Sequence, residues 1–277
     1  MRAALIQMTS GDRPDANIAM ACGMVREAAS GGAQFVLTPE VTNCVSSSRA
    51  HQAQVLCHEE DDAMLSALRQ EAVNGRISLL IGSLGLKTHD PDGRFANRSF
   101  LIAPDGSIVA RYDKIHMFDV QITETESFRE SEGYRPGDRA VLAETPFGKV
   151  GLSICYDLRF PHLFRALAHG GAEILTVPAA FSPVTGAAHW ETLLRARAIE
   201  NGCYVLAPAQ CGLHPATEGR PRRTHGHSLA IAPWGEVLAD GGTSPGITYV
   251  EIDRQEVARA RARVPSITHD RPFAPPT

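Results

Sequence analysis

Gly148-Lys149-Val150-Gly151-Leu152-Ser153-Ile154-Cys155-Tyr156-Asp157-Leu158-Arg159-Phe160-Pro161 is the stretch on which the reading of this chain turns. Val150, Leu152 and Ile154 alternate with small residues and the run stops at Cys155, the pattern of a strand buried on both faces or nearly so. Pro161 then stands at a first helical position, and Leu163, Phe164 and Leu167 keep helical spacing until Gly170-Gly171 ends it. Cys155 therefore occupies a strand-to-helix elbow, where backbone N–H groups are free to point at whatever the side chain attacks. A free cysteine is most often a buried structural thiol. Its position and neighbours shift the weight here toward chemistry.

Outward from the elbow, strands and helices alternate. Upstream, residues 3–8 read as a strand, 14–29 as a helix stopped by Gly31-Gly32, and Phe35-Val36-Leu37 as a short strand that Thr38-Pro39-Glu40 ends. Residues 61–73 repeat apolar positions at helical spacing, and 77–81 form the next buried strand. Residues 100–103 and 108–112 make a hairpin about Pro104-Asp105-Gly106, and period-two alternation puts Ile108, Ala110, Tyr112 and Lys114 on one face. An ammonium thus terminates an apolar row. Residues 119–139 are polar, acidic and aperiodic, a long loop of the kind that carries function, with Glu130 in its middle. Downstream, residues 173–177, 203–207, 228–232, 236–238 and 248–252 read as strands, and 187–200 and 255–263 as helices. No linker-like break interrupts residues 1–265, which predicts one α/β domain followed by a poorly ordered tail over 266–277.

Composition narrows the function. The 277 residues are 43% hydrophobic and 21% charged with a net charge of −4, enough to fill a large core and no reason to expect nucleic acid or an anionic membrane as partner. No apolar run is long enough to span a bilayer and residues 1–6 lead straight into a strand, so the expected compartment is the cytoplasm. The six cysteines contain no C-x-x-C pair, which supports neither a zinc ribbon nor a disulfide scaffold. Cys22, Cys203 and Cys211 read as core thiols. His225-x-His227 offers two imidazoles without an evident third ligand, so hydrogen-bonded structural histidine is the better reading and no metal is expected. Asn97-Arg98-Ser99 matches a glycosylation acceptor by chance, and no phosphate-binding glycine loop is present.

Three groups of complementary chemistry lie at or just past strand ends: the Glu40 carboxylate, the Lys114 ammonium and the Cys155 thiol. Ligand crevices of open α/β sheets lie outside strand ends, so segments distant in sequence can meet there. A cysteine with its ordinary pKa near ~8.5 is mostly protonated at neutral pH, and a nearby carboxylate must take its proton as it attacks. Glu40 is the candidate base, while Lys114 and the backbone N–H after Cys155 are candidates to stabilise the oxyanion. Taken singly, a solvated Glu40 and a snorkelling Lys114 would be the commoner outcomes.

These segments resemble the nitrilase superfamily of carbon-nitrogen hydrolases: Thr38-Pro39-Glu40 its Pro-Glu motif, Arg111-Tyr112-Asp113-Lys114-Ile115-His116 its lysine motif, and residues 151–161 its cysteine motif. The resemblance covers nearly the whole chain. It implies a four-layer αββα sandwich, a Glu40-Lys114-Cys155 triad, a second glutamate matched by Glu130, no cofactor, and a homodimer or larger homo-oligomer. Residues 181–200, with Pro208-Ala209-Gln210-Cys211-Gly212 and Gly226-His227-Ser228, are similar to the deaminated glutathione amidase and omega-amidase branch, and lean to the former. The implied reaction is hydrolysis of a small carboxylate-bearing primary amide, with deaminated glutathione favoured. An omega-amidase on alpha-ketoglutaramate-like substrates, an N-carbamoyl amide hydrolase, a Cys-His hydrolase and a catalytically silent scaffold are the alternatives. Candidate substrate contacts are Tyr156, Arg159, Phe181 and Thr185. One of Arg220, Arg222 and Arg223 is a further candidate for a substrate carboxylate, although solvated charge is the expectation for that loop.

Overall fold

The chain is described from a computed structural model, at every residue except 123, 125, 126, 275 and 277. Its first half runs β1 (Arg2–Gln7), α1 (Pro14–Ser30), β2 (Phe35–Leu37), α2 (Arg49–Val55), α3 (Ala63–Gly75), β3 (Ser78–Leu86), β4 (Ala96–Ile102), β5 (Ile108–Asp113), β6 (Asp119–Gln121) and β7 (Ser127–Arg129). The second half runs β8 (Val141–Thr145), β9 (Gly148–Leu152), α4 (Pro161–His169), β10 (Ile174–Thr176), α5 (Pro183–Asn201), β11 (Tyr204–Ala207), β12 (Cys211–Leu213) and β13 (Arg223–His225). β14 (Leu229–Ile231), β15 (Val237–Asp240), β16 (Gly246–Glu251) and α6 (Gln255–Arg263) complete it.

Two six-stranded sheets carry the fold, ordered β16-β1-β2-β3-β4-β5 and β15-β14-β11-β10-β9-β8. In each the central three strands are parallel and the flanking ones antiparallel. Strand alternation explains the layering. In β1, Ala3 and Leu5 join a core shared with Val150, Leu152 and Leu175 of the second sheet, whereas Ala4 and Ile6 join one built with Val25 of α1 and Leu68 of α3. Both faces of each central strand are covered, so β1, β2, β10 and β11 are near-continuous apolar runs. α4 packs on β9, and α5 on β11 and β14. The result is the expected αββα sandwich.

Three sequence expectations change. Residues 119–139 are not one irregular loop: β6 and β7 pair antiparallel, Val120 opposite Phe128, and a 3-10 turn over Glu130–Glu132 follows. Polar flanks hid the strands; positions 123, 125 and 126 of that loop lie outside the described residues. The strand expected over 77–81 continues to Leu86, with Gly82 and Gly85 inside it. Finally, residues 266–270 of the expected tail are fastened to α4. A 3-10 turn spans Ser266–Thr268, the Arg165 guanidinium donates to the Ser266 carbonyl at 2.7 Å, and Asp270 pairs with both Arg165 and His169.

Candidate active site

Three strand ends supply the site. Glu40 follows β2 in a turn where Thr38 Oγ1 accepts the Gly82 N–H at 3.0 Å and Thr42 Oγ1 donates to the Pro39 carbonyl at 2.7 Å. Lys114 follows β5, its backbone N–H donating to Asn97 O at 3.0 Å. Cys155 follows β9 at a φ of +49°, in the left-handed region that a non-glycine residue seldom enters. Its N–H donates to Pro178 O at 2.9 Å, which fixes the elbow to the end of β10.

The side chains converge as the sequence implied. Lys114 Nζ lies 2.9 Å from Glu40 Oε1 and 2.9 and 2.8 Å from the two Glu130 oxygens. Glu40 Oε2 accepts the Ala180 N–H at 2.8 Å, and Glu130 Oε2 accepts the Phe118 N–H at 2.6 Å. Lys114 is 2% exposed, Glu40 4% and Cys155 7%, so their mutual charges act with little screening. Burial alone would drive Lys114 to shed its proton, but Glu130 and Glu40 hold its affinity well above the ordinary lysine value. Burial likewise opposes ionisation of Glu40, and the Lys114 ammonium, then the Arg222 guanidinium, pull it below the ordinary carboxylate range. Burial and then the Glu40 charge push the Cys155 thiol well above its usual value. At neutral pH the arrangement is a carboxylate beside a protonated thiol, with the Lys114 ammonium bonded to that carboxylate.

A cavity of about 730 Å³ opens over these groups. Phe118, Phe128, Tyr134, Tyr156 and Phe181 give it aromatic walls, and Arg49, Arg220, Arg222 and Arg223 contribute positive charge. Of the expected substrate contacts, Tyr156, Phe181 and Thr185 line it. Arg159 does not. Its guanidinium lies 5.8 and 5.6 Å from the Tyr156 and Phe181 ring centroids and donates to His189 Nδ1 at 3.2 Å, behind the wall those rings form. Arg222 departs from the solvated reading: it is half-buried, donates to Ala180 O at 2.6 Å and lies 5.7 Å from the Phe128 ring centroid. The Ser182 and Thr185 hydroxyl oxygens are buried on the cavity side of the structure without a hydrogen-bond partner among the described residues.

Asn97 was missed. Its Nδ2 donates to Glu40 Oε1 at 2.9 Å and reaches Glu130 Oε1 at 3.4 Å, joining the two carboxylates that flank Lys114. The available signal was alternation, since Asn97 and Ser99 share a strand face with apolar Leu101 and are all buried. His58, Glu60 and His89 are near enough to suggest a metal site, but the two imidazoles stack at 4.3 Å with 4° between their planes. Their in-plane lone pairs run nearly parallel and do not converge on one ion. His227 bonds Asp240 through Nδ1 at 3.0 Å.

The carbon-nitrogen hydrolase family model matches residues 2–262. This chain belongs to the carbon-nitrogen hydrolases. The hydrolase is 39% identical over 269 residues to a deaminated glutathione amidase of Yersinia enterocolitica, covering 97% of this chain and 92% of that protein. It is 36% identical over 265 residues to a human omega-amidase, covering 95% and 92%. Among solved structures it superposes on the C. elegans NitFhit protein with a TM-score of 0.87 at 36% identity, covering 98% of this chain and 65% of that one. It also superposes on an amidase from Nesterenkonia sp. AN1 whose active-site cysteine carries acrylamide by Michael addition, with a TM-score of 0.77 at 26% identity over 95% of this chain and 98% of that one. No helix among the hydrolase's described residues is long and apolar enough to cross a membrane.

Proposed function

We propose that this carbon-nitrogen hydrolase is an amidase acting on an amide of a small carboxylate-bearing substrate, deaminated glutathione in the first instance, through a Glu40-Lys114-Cys155 triad; the amides of that tripeptide derivative are secondary, which corrects the primary amide expected from the sequence. One observation carries the reading: Lys114 Nζ is held by Glu40 and Glu130 beside the Cys155 thiol, at the cavity. Glu40 accepts the thiol proton as sulfur attacks the amide carbon. The oxyanion is stabilised by Lys114 and the Tyr156 N–H, which as an early N–H of the 3-10 turn Cys155–Arg159 has no acceptor within it. Collapse breaks the carbon-nitrogen bond, Glu40 gives the proton to the leaving nitrogen, and the amine departs from a thioester: cysteinylglycine when the γ-amide of deaminated glutathione is cleaved, ammonia when the amide is primary. Glu40 then deprotonates a water that attacks the thioester, and the proton returns to sulfur as the carboxylic acid leaves.

The substrate class rests on the arginines at the cavity, Arg222 above all, and on the relatives. The omega-amidase relative keeps alpha-ketoglutaramate as the second candidate, since both compounds carry an amide at the far carbonyl of the same 2-oxo acid, primary in alpha-ketoglutaramate and secondary in deaminated glutathione. Release of cysteinylglycine from deaminated glutathione, and of ammonia from alpha-ketoglutaramate, an N-carbamoyl amino acid and a nitrile, by wild type and Cys155→Ala tests the reading: loss of all turnover in the variant supports it, and retained turnover overturns it. We further propose self-association through the edge of the second sheet at β15, where Val237 and Leu238 are exposed, testable by light scattering, and a reducing cytoplasmic setting suited to six free thiols.

A further inference from the structure

The lysine and cysteine segments reach the site from different sheets, so something must fix their spacing. One buried carboxylate touches both. Asp157, two residues past the nucleophile, is 0% exposed. Its Oδ2 accepts the Tyr112 hydroxyl at 2.6 Å and the Ile154 N–H at 2.8 Å, and its Oδ1 accepts the His116 N–H at 3.0 Å and His116 Nδ1 at 2.7 Å. Tyr112 and His116 are the residues two before and two after Lys114, and Ile154 immediately precedes Cys155. Asp157 is absent from the cavity lining and contacts no reacting group.

We infer that Asp157 is a positioning residue that locks the Lys114 segment to the Cys155 elbow through Tyr112, His116 and Ile154, holding ammonium and sulfur in register through both halves of the reaction. The inference rests on the triad reading above. Four donors converge on two oxygens, and only Asp supplies four acceptor sites in that shape; Asn offers one acceptor oxygen and turns two donors toward an NH2 group. The stack of the His116 ring on Phe160, 3.5 Å between centroids at 8°, keeps the imidazole aimed at the carboxylate.

The test is steady-state amide hydrolysis by wild type, Asp157→Asn, Tyr112→Phe and the double variant, read as cysteinylglycine release from deaminated glutathione or ammonia release from alpha-ketoglutaramate, whichever the wild type turns over faster, at a temperature well below each melting midpoint. Misplacement of about an ångström at a reacting centre costs roughly 10²-fold, so Asp157→Asn should lose about that much kcat with KM within about threefold. Tyr112→Phe, which removes one of the four contacts, should lose roughly tenfold in kcat, and the double variant should be no slower than Asp157→Asn because both act through one link. A role confined to stability would lower the melting midpoint and leave kcat intact. A kcat within twofold of wild type in Asp157→Asn overturns the inference, as does a loss confined to KM. If that variant does not fold, Tyr112→Phe decides by the same criteria. Retained turnover in Cys155→Ala would instead overturn the triad reading and this inference with it, whereas Cys155-dependent turnover with an unimpaired Asp157→Asn overturns the inference alone.

Discussion

Lys114 keeps its charge in surroundings where an isolated ammonium would give up its proton, and it does so because two carboxylates flank it. Two ionised groups, Glu40 and Lys114, acting on one proton-exchanging neighbour, Cys155, have a signed consequence. Glu40 raises the cysteine's proton affinity and Lys114 lowers it. Glu40→Gln removes the first influence and keeps the second, so Cys155 should become more thiolate-like while losing its base. Amide turnover is expected to fall about 10²–10⁴-fold, the usual worth of a positioned proton acceptor. Iodoacetamide should meanwhile alkylate Cys155 faster at pH 7.5 than in the wild type, followed by mass analysis of the Cys155 peptide because the exposed Cys57 reacts as well. Alkylation that slowed would contradict the assigned electrostatics. Asn97 adds a charge-assisted bond to Glu40, the kind worth about 1.5–3 kcal/mol.

At the scale of elements, the site depends on how closely the two sheets approach at β3. A Cβ on Gly82 would stand 2.0 Å from Thr38 O, 2.5 Å from Pro39 O and 2.6 Å from the Pro178 Cβ, all of them fixed atoms of the turns that carry Glu40 and receive the Cys155 N–H. Gly82→Ala should therefore destabilise by about 1–3 kcal/mol or more, as overpacking does, with a larger loss of kcat than its melting midpoint suggests. The loop between β12 and β13, which brings Arg222 to the cavity, is latched by buried Asp12, whose Oδ2 accepts the Thr217 N–H at 2.5 Å, the Thr217 hydroxyl at 2.8 Å and the Glu218 N–H at 3.3 Å. Loosening it in Asp12→Ala should raise KM roughly tenfold with kcat largely kept, since binding would draw on a smaller closed population. Strand ends were what the sequence showed best. β2, β5 and β9 stop at abrupt changes of pattern, and Glu40, Lys114 and Cys155 stand at those changes. Asn97 was obscured because polar Asn97-Arg98-Ser99 conceals that β4 begins at Ala96. The β6–β7 hairpin was obscured by its polarity, and Arg222 by a loop whose course is set by Asp12, more than 200 residues away in sequence.

For the molecule as a whole, acid sensitivity should begin before the carboxylates titrate. His214 is buried between Ser10 O and the Thr224 hydroxyl, each at 2.7 Å, and burial, aided by Arg222, lowers its pKa from 6.5 to about 4. The unfolded chain takes up this proton near 6.5 and the folded one only near 4, so the neutral imidazole's contribution is whole above about pH 6.5 and is lost as pH falls toward 4. At about 1.4 kcal/mol per unit the shift is on the order of 3 kcal/mol. Thermal midpoints measured between pH 7 and 5 should fall less steeply for His214→Gln than for wild type; equal slopes would refute the assignment. The whole sandwich serves to bring three strand ends from two sheets to one cavity, and the central claim is that the thiol among them does the chemistry. The most direct measurement is release of cysteinylglycine from deaminated glutathione by wild type and Cys155→Ala at equal folded concentration. The account predicts turnover by the wild type and none above background by the variant, and turnover by Cys155→Ala at the wild-type rate would contradict it.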